Sequence, residues 1–167
     1  VTEDIYKVLR DETNKIGFFG HAFTTTGHPV AVAVATRVQE LMEERDIVNH
    51  VKRVSPFLQD GLRAFSDHPL VGNVRGVGLM AAIELVADKL TKRSFDPALK
   101  VKEFMRHRAQ EHGLIIRSAL SGDSVAFSPP LIIAEEEVSE MMQRFSRALD
   151  DTTKWIEENG LRDKKPA

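Results

Sequence analysis

The chain has 167 residues, 42% of them hydrophobic, which is enough for one well-packed domain and little more. Its 23 basic and 25 acidic residues leave a formal net charge of −2, so no strong field would attract nucleic acid or an anionic membrane surface. The lack of cysteine excludes disulfides and thiolate metal sites, and no stretch approaches the roughly 20 apolar residues of a membrane span. We therefore expect a soluble, cytoplasmic protein.

Three helices are predicted in the first part of the chain. The first follows Thr2, a good N-cap residue, and ends near Thr13. The second begins at Pro29, because proline is favoured in a first helical turn, and its valine and alanine positions predict burial on more than one side. The third covers residues 47–65, with a kink or local break at Pro56.

The middle of the chain changes its periodicity. Residues 71–85 are rich in strand formers and glycine, and they are predicted to form a strand with a glycine bulge or tight bend. A helix is then expected to start at Pro97, capped by Asp96, and to end just before Gly113. This order of elements already lacks the regular alternation of a doubly wound sheet.

The last part of the chain predicts a hairpin and a long helix. Short strands are expected at residues 114–117 and 125–128, joined by a turn at 120–123. The final helix begins with three glutamates at 135–137 and carries an apolar stripe that ends before Gly160. The sequence thus predicts an α+β fold with a small, mainly antiparallel sheet and flanking helices.

Three regions are predicted from this pattern. Residues 1–45 carry helices with broad apolar faces that a small sheet cannot cover, so we interpret them as the trailing part of a larger domain. Residues 46–160 form the predicted α+β domain. Residues 161–167 form the tail, of which residues 162–167 are polar and expected to be disordered.

Four segments resemble the class III, or omega, aminotransferases in the same order and at suitable spacing. The first, F-G-H-A-F-T-T-T-G-H-P, resembles the phosphate loop of that family, with departures at Ala22 and Thr25. The resemblance covers residues 1–158 and implies a fold-type I enzyme that uses pyridoxal 5′-phosphate. It implies that residues 1–45 are the trailing part of the cofactor-binding large domain, including the phosphate loop, and that residues 46–160 are the C-terminal small domain. The four segments are residues 19–29, 75–85, 113–117 and 128–133.

The resemblance assigns cofactor contacts to Thr24 and Phe23. In the family, the threonine at this position reaches the cofactor phosphate of the other subunit, which implies a homodimer with sites shared across its interface. Without the resemblance, the threonines before Gly27 and His28 would be interpreted as a cap for the helix that starts at Pro29.

Arg117 resembles the mobile arginine that binds the carboxylate of a keto acid and moves aside for an apolar amine. A guanidinium suits this role because it binds a carboxylate bidentately. An arginine at a strand end is otherwise usually a solvent-exposed residue. Arg75 is left out of the predicted site, since it is equally suited to a structural ion pair with Glu84.

The lysine that forms the Schiff base with the cofactor is expected upstream of Val1, because in the family it precedes the phosphate loop by more residues than this chain has there. Residues 1–167 alone are therefore expected to be inactive, and no catalytic residue is assigned within them. The six histidines lack metal-ligand spacing, so no metal is predicted.

The predicted full-length protein moves an amino group between an amine or amino acid and a keto acid such as pyruvate. One alternative is a GABA-type or ornithine-type enzyme or a relative of the semialdehyde aminomutases. Arg117 together with an apolar strand at 125–127, which carries no second arginine, favours the amine:pyruvate type. The other alternative is a non-catalytic α+β binding or dimerisation module.

Overall fold

The computed structural model describes the backbone of residues 1–20, 23–119 and 122–163. It contains two compact units, Val1–Arg45 and a second unit that begins at Asp46. Three parts of the sequence predictions fall outside the described residues: His21 and Ala22 of the phosphate-loop segment, Leu120 and Ser121 of the predicted turn, and residues 164–167 of the predicted tail.

The first unit contains helices α1, Glu3–Ile16, and α2, Pro29–Glu44. Thr2 is the N-cap residue of α1, as expected, but the predicted end near Thr13 is wrong by about one turn. The helix continues to Gly17, which has a φ of 83° and donates its N–H to the Thr13 carbonyl. Glycine adopts this left-handed conformation without a steric cost, so it ends the helix where the polar residues before it do not.

Neither helix of the first unit contains a buried residue. The prediction that α2 is buried on more than one side is therefore not met among the described residues of this unit. Its apolar side chains include Val30, Val34 and Val38, with exposed fractions of 64%, 58% and 46%. An apolar helix face stays exposed when no second layer packs on it.

The second unit opens with α3, Ile47–Arg63, which runs through Pro56 as a continuous helix. The predicted local break is therefore wrong. A proline inside a helix removes one backbone hydrogen bond, and packing of the neighbouring turns can offset that loss. Val54, Leu58 and Leu62 supply this packing, since they form the buried face of α3.

Among the described residues, the sheet of the second unit has four strands: β1 (Val71–Val77), β2 (Met80–Leu85), β3 (Arg117–Ser118) and β4 (Ser124–Phe127). They pair antiparallel in the order β1-β2-β4-β3. Residues 71–85 form two of these strands rather than one bent strand, because Gly78, with a φ of 59°, makes a tight turn between them. The predicted strand at 114–117 is also wrong, since pairing starts only at its last residue.

The helix predicted from Pro97 is divided in two. Asp96 accepts a hydrogen bond from the Ala98 N–H at 2.9 Å, but the element it caps is a 3₁₀ turn, Pro97–Leu99. Lys100 then adopts a φ of 53°, which interrupts the helix, and α4 begins after it and covers Val101–Glu111. Gly113 follows the end of α4 in the left-handed conformation, as predicted.

Helix α5, Glu135–Glu158, completes a helical layer with α3 and α4 on one face of the sheet. Phe145 of α5 lies at the centre of the core, with edge-to-face ring contacts to Phe65 and Phe127 at centroid distances of 5.1 and 5.0 Å. The predicted α+β fold is confirmed. No helix among the described residues is both long and apolar enough to cross a membrane.

Candidate functional site

The sheet face opposite the helices carries one row of side chains that crosses all four strands. In the register, Arg75 of β1 pairs with Ala82, Ala82 with Ala126, and Ala126 with Arg117 of β3. Paired residues on neighbouring strands point to the same face, so the two arginines stand at the two ends of the row. Three strand spacings of about 4.8 Å separate their backbones by about 14 Å.

An open groove with a volume of about 740 Å³ follows this row. Its floor is formed by Ala82 and Ala126, and its rim includes the exposed apolar side chains of Val77, Met80 and Ile115. Both arginines line the groove. A groove with an apolar floor and two arginines in its lining can hold a small ligand that has one apolar part and one carboxylate.

Arg75 is held in place by two neighbours. Its Nη1 lies 3.4 Å from Glu84 Oε2, and its Nη2 donates to Ser124 Oγ at 3.1 Å. The predicted ion pair with Glu84 is thus present. Because Ser124 belongs to β4, the Arg75 side chain crosses the whole width of β2 to reach it.

Arg117 stands at the start of β3, a two-residue edge strand. Its side chain is exposed, and its guanidinium makes no hydrogen bond or ion pair with any described residue. Its cross-strand neighbour Ala126 has only a methyl group, which leaves room for a long side chain to lie across β4. The arginine can therefore lie inward over the groove or outward past the sheet edge.

The hairpin that carries Arg117 is tied to α4. Lys102 of α4 donates to the carbonyl oxygens of Ala119 and Gly122 at 2.9 and 2.8 Å, on both sides of the turn. Burial raises the pKa of the nearby Asp123 carboxyl above its usual range, while a backbone hydrogen bond from Phe95 and the Lys102 charge act in the opposite direction. Lys102 thus fixes Ala119 and Gly122 to α4, whereas the Arg117 guanidinium has no partner among the described residues.

Thr24 lies in the first unit, in a turn that precedes α2. The Phe23 N–H donates to Thr26 Oγ1 at 2.9 Å, the Phe23 carbonyl accepts from the Thr26 N–H at 2.9 Å, and Gly27 has a φ of 74°. Thr24 itself makes no hydrogen bond with another described residue through its hydroxyl or its N–H. Both donors are exposed and can therefore bind an anion such as a phosphate.

The cap of α2 is His28, whose Nδ1 lies 3.5 Å from the Ala31 N–H. The alternative interpretation, in which the threonines cap this helix, is therefore wrong. Thr24 and Phe23 belong to the first unit, and Arg117 belongs to the second.

Sequence reasoning missed the two alanines of the groove floor and the role of Lys102. The alternation of β2 puts Ala82 and Glu84 on the face opposite the core residue Ile83, and this signal was available. The lysine contacts were not predictable, since they join one residue of α4 to carbonyl groups 17 and 20 positions further along the chain.

The antiparallel sheet and its one-sided helical layer define an α+β domain, and the groove with its two arginines lies on the open face of the sheet. The profile of the family described as "Aminotransferase class-III" matches residues 2–149. The chain belongs to this family.

Curated relatives include two proteins of Solanum lycopersicum. The chain is 39% identical to "Gamma aminobutyrate transaminase 1, mitochondrial" and 40% identical to "Gamma aminobutyrate transaminase 2", in each case over 158 residues and 95% of this chain. These alignments cover 30% and 34% of the relatives, so the chain spans about a third of their length.

Solved structures of transaminases have the same fold. An omega transaminase from Pseudomonas jessenii in complex with PMP superposes with a TM-score of 0.81 at 44% identity, over 94% of this chain and 34% of the other. A transaminase obtained by ancestral reconstruction superposes with a TM-score of 0.84 at 38% identity, over 93% of this chain and 34% of the other.

Proposed function

We propose that residues 1–167 are the C-terminal part of a pyridoxal-phosphate-dependent aminotransferase that moves an amino group between an amine or amino acid and a keto acid such as pyruvate. The observation that carries the proposal is the guanidinium of Arg117, which has no partner among the described residues and lies at one end of a groove with an alanine floor. Family membership and the omega transaminase structures support it.

Arg117 has two tasks in this proposal. When a keto acid enters the groove, the guanidinium binds its carboxylate and orients its carbonyl carbon. When an apolar amine enters, the arginine turns outward and leaves the alanine floor to the apolar group. One groove can in this way accept both substrates of a transamination.

The residues of the Thr24 turn fit a phosphate, because the Thr24 hydroxyl and N–H are exposed donors without a partner among the described residues. Bound pyridoxal phosphate would supply the electron sink for the amino-group exchange. We assign Thr24 to the phosphate. Phe23 uses its N–H within the turn, so its part would be a contact through the exposed ring.

The proposal includes a homodimer in which Thr24 serves the site of the other subunit, and a catalytic lysine contributed by sequence upstream of Val1. A cytoplasmic location is also part of it, although the first tomato relative is named mitochondrial.

The amine:pyruvate type is favoured over the GABA or ornithine type by Ala126. This residue lies directly opposite Arg117, so β4 itself supplies no cation there, and the charge of Arg75, the other arginine of the groove, is partly offset by Glu84.

Half-reactions of the full-length enzyme test the role of Arg117. Arg117→Ala should slow the reaction with pyruvate about tenfold or more, since a charge-assisted hydrogen bond contributes at least about 1.4 kcal/mol. The reaction with an apolar amine should change little. Arg53→Ala, which removes an exposed arginine of α3, is the matched control and should alter neither reaction. Equal losses in both half-reactions of Arg117→Ala would remove this residue from substrate binding.

Cofactor retention tests Thr24. Thr24→Ala should weaken pyridoxal phosphate binding by about 1 to 3 kcal/mol, because one donor to the phosphate is lost. Thr25→Ala, which changes a neighbouring threonine, should bind the cofactor normally. If Thr24 acts across the interface, a mixed dimer of a Thr24→Ala subunit and a lysine-deficient subunit should regain one good site at limiting cofactor. A mixed dimer without activity would mean that Thr24 serves its own subunit.

A further inference from the structure

Arg75 and Arg117 approach the same strand from opposite edges of the sheet. Arg75 crosses β2 and bonds to Ser124 on β4, which shows that an arginine can lie flat across a strand of this face. Its path is open because Ala82, its cross-strand neighbour, has only a methyl group. Ala126 provides the same space beside Arg117. If Arg117 lies inward, both guanidinium groups meet above the groove floor.

Two guanidinium groups brought together repel each other unless an anion lies between them. Arg75 is fixed by Ser124 and Glu84, whereas Arg117 has no such contact among the described residues. Glu84 offsets part of the Arg75 charge, but its oxygen lies 3.4 Å from Nη1, and the Arg75 side chain keeps an exposed fraction of 52%. Arg75 therefore retains charge and donors that face the groove.

We infer that Arg75 is a second carboxylate-binding residue that determines specificity. Arg117 takes its inward position only when a carboxylate lies between the two guanidinium groups. This inference rests on the proposed function and adds to it a fixed cation. Without a carboxylate, repulsion from Arg75 keeps Arg117 outward and the alanine floor open to an apolar amine. Arg75 thus promotes the switch between the two substrate classes.

The test compares two substitutions that change the charge at Arg75 in opposite directions. Arg75→Gln should raise the dissociation constant of a carboxylate about tenfold, and Glu84→Gln should lower it, because Arg75 is then no longer partly neutralised. A purely structural ion pair predicts that both substitutions weaken binding alike through loss of stability. Equal losses would therefore overturn the inference.

The measurement does not depend on turnover. Propionate has the carboxylate of pyruvate but no keto group that could react, and it is titrated against the holoenzyme. At each concentration, the rate at which phenylglyoxal modifies Arg117 is measured by peptide mass spectrometry. Protection of Arg117 gives the dissociation constant. Arg53→Gln is the matched control and should leave this constant unchanged.

Arg75→Lys keeps the charge and separates electrostatics from folding. It should retain most of the carboxylate affinity that Arg75→Gln loses, and a lysine variant as weak as the glutamine variant would overturn the inference. In kinetics, Arg75→Gln should raise the KM for pyruvate far more than it lowers kcat. An enzyme that never transaminates pyruvate would refute the proposed function, while the propionate titration would still decide the role of Arg75.

Discussion

Gly76 lies at a crowded backbone position beside the groove, and Gly76→Ala tests how β1 and β2 pack. An added Cβ would lie 2.5 Å from the Met80 carbonyl oxygen, 2.7 Å from Gln59 Oε1 and 2.8 Å from the Ala81 Cβ. Two of these neighbours belong to the backbone or Cβ of the paired strand, which cannot move without breaking the pairing of β1 with β2. The third, Gln59, is buried and donates to the Gly78 and Met80 carbonyls at 2.9 and 3.3 Å.

The expected loss follows from these contacts. Overpacking costs about 1 to 3 kcal/mol, and displacement of Gln59 adds about 1 kcal/mol for each hydrogen bond it loses, which gives a total of about 2 to 5 kcal/mol. For a protein of this size the melting temperature should fall by roughly 4 to 20 °C. Urea denaturation followed by circular dichroism and by the fluorescence of Trp155 gives the free energy of unfolding.

Two other glycines provide matched controls. Gly78→Ala places a side chain at a φ of 59° but meets no atom closer than 3.9 Å, so it should cost about 1 to 2 kcal/mol from backbone strain alone. Gly61→Ala lies within α3, where its Cβ meets only the flexible side chain of Met142, and should be neutral or stabilising by up to about 1 kcal/mol. A Gly76→Ala protein as stable as the wild type, or more stable than Gly78→Ala, would refute this account of the packing.

Two further predictions concern contacts of α4. Lys102→Met should reduce the free energy of unfolding, measured by urea denaturation, by about 1 to 3 kcal/mol, since it removes two charge-assisted hydrogen bonds. The control Lys154→Met alters an exposed ion pair and should change this free energy by less than about 0.5 kcal/mol. Hydrogen bonds from His112 and Arg108 lower the pKa of Asp151. The ionised carboxylate therefore stabilises the fold fully above about pH 4, the usual pKa of aspartate, and this contribution is lost as the pH falls through the lowered pKa. The difference in free energy of unfolding between wild type and Asp151→Asn should therefore be largest at pH 6 and shrink below pH 4. A difference that does not change with pH in the same assay would contradict the assignment.

Local signals were enough to predict much of the fold. Pro29 marked the start of α2, Gly113 the residue after α4, and the glutamates at 135–137 the start of α5, because each acts within one helical turn. The pairing of Arg75 with Glu84 was also predictable, since both residues belong to one hairpin. The resemblance of four ordered segments was enough to predict the family.

The arrangement of the groove was decided by contacts between distant residues. Strand register decides that Arg117 lies opposite Ala126 and that Ala82 continues the same row. A register shift of one residue would turn every side chain of the shifted strand to the other face of the sheet. Pairing also set the strand ends, which is why residues 114–116 stay outside the sheet and 71–85 form two strands. Register comes from the joint packing of three helices on the sheet, a long-range property that no short stretch of sequence contains.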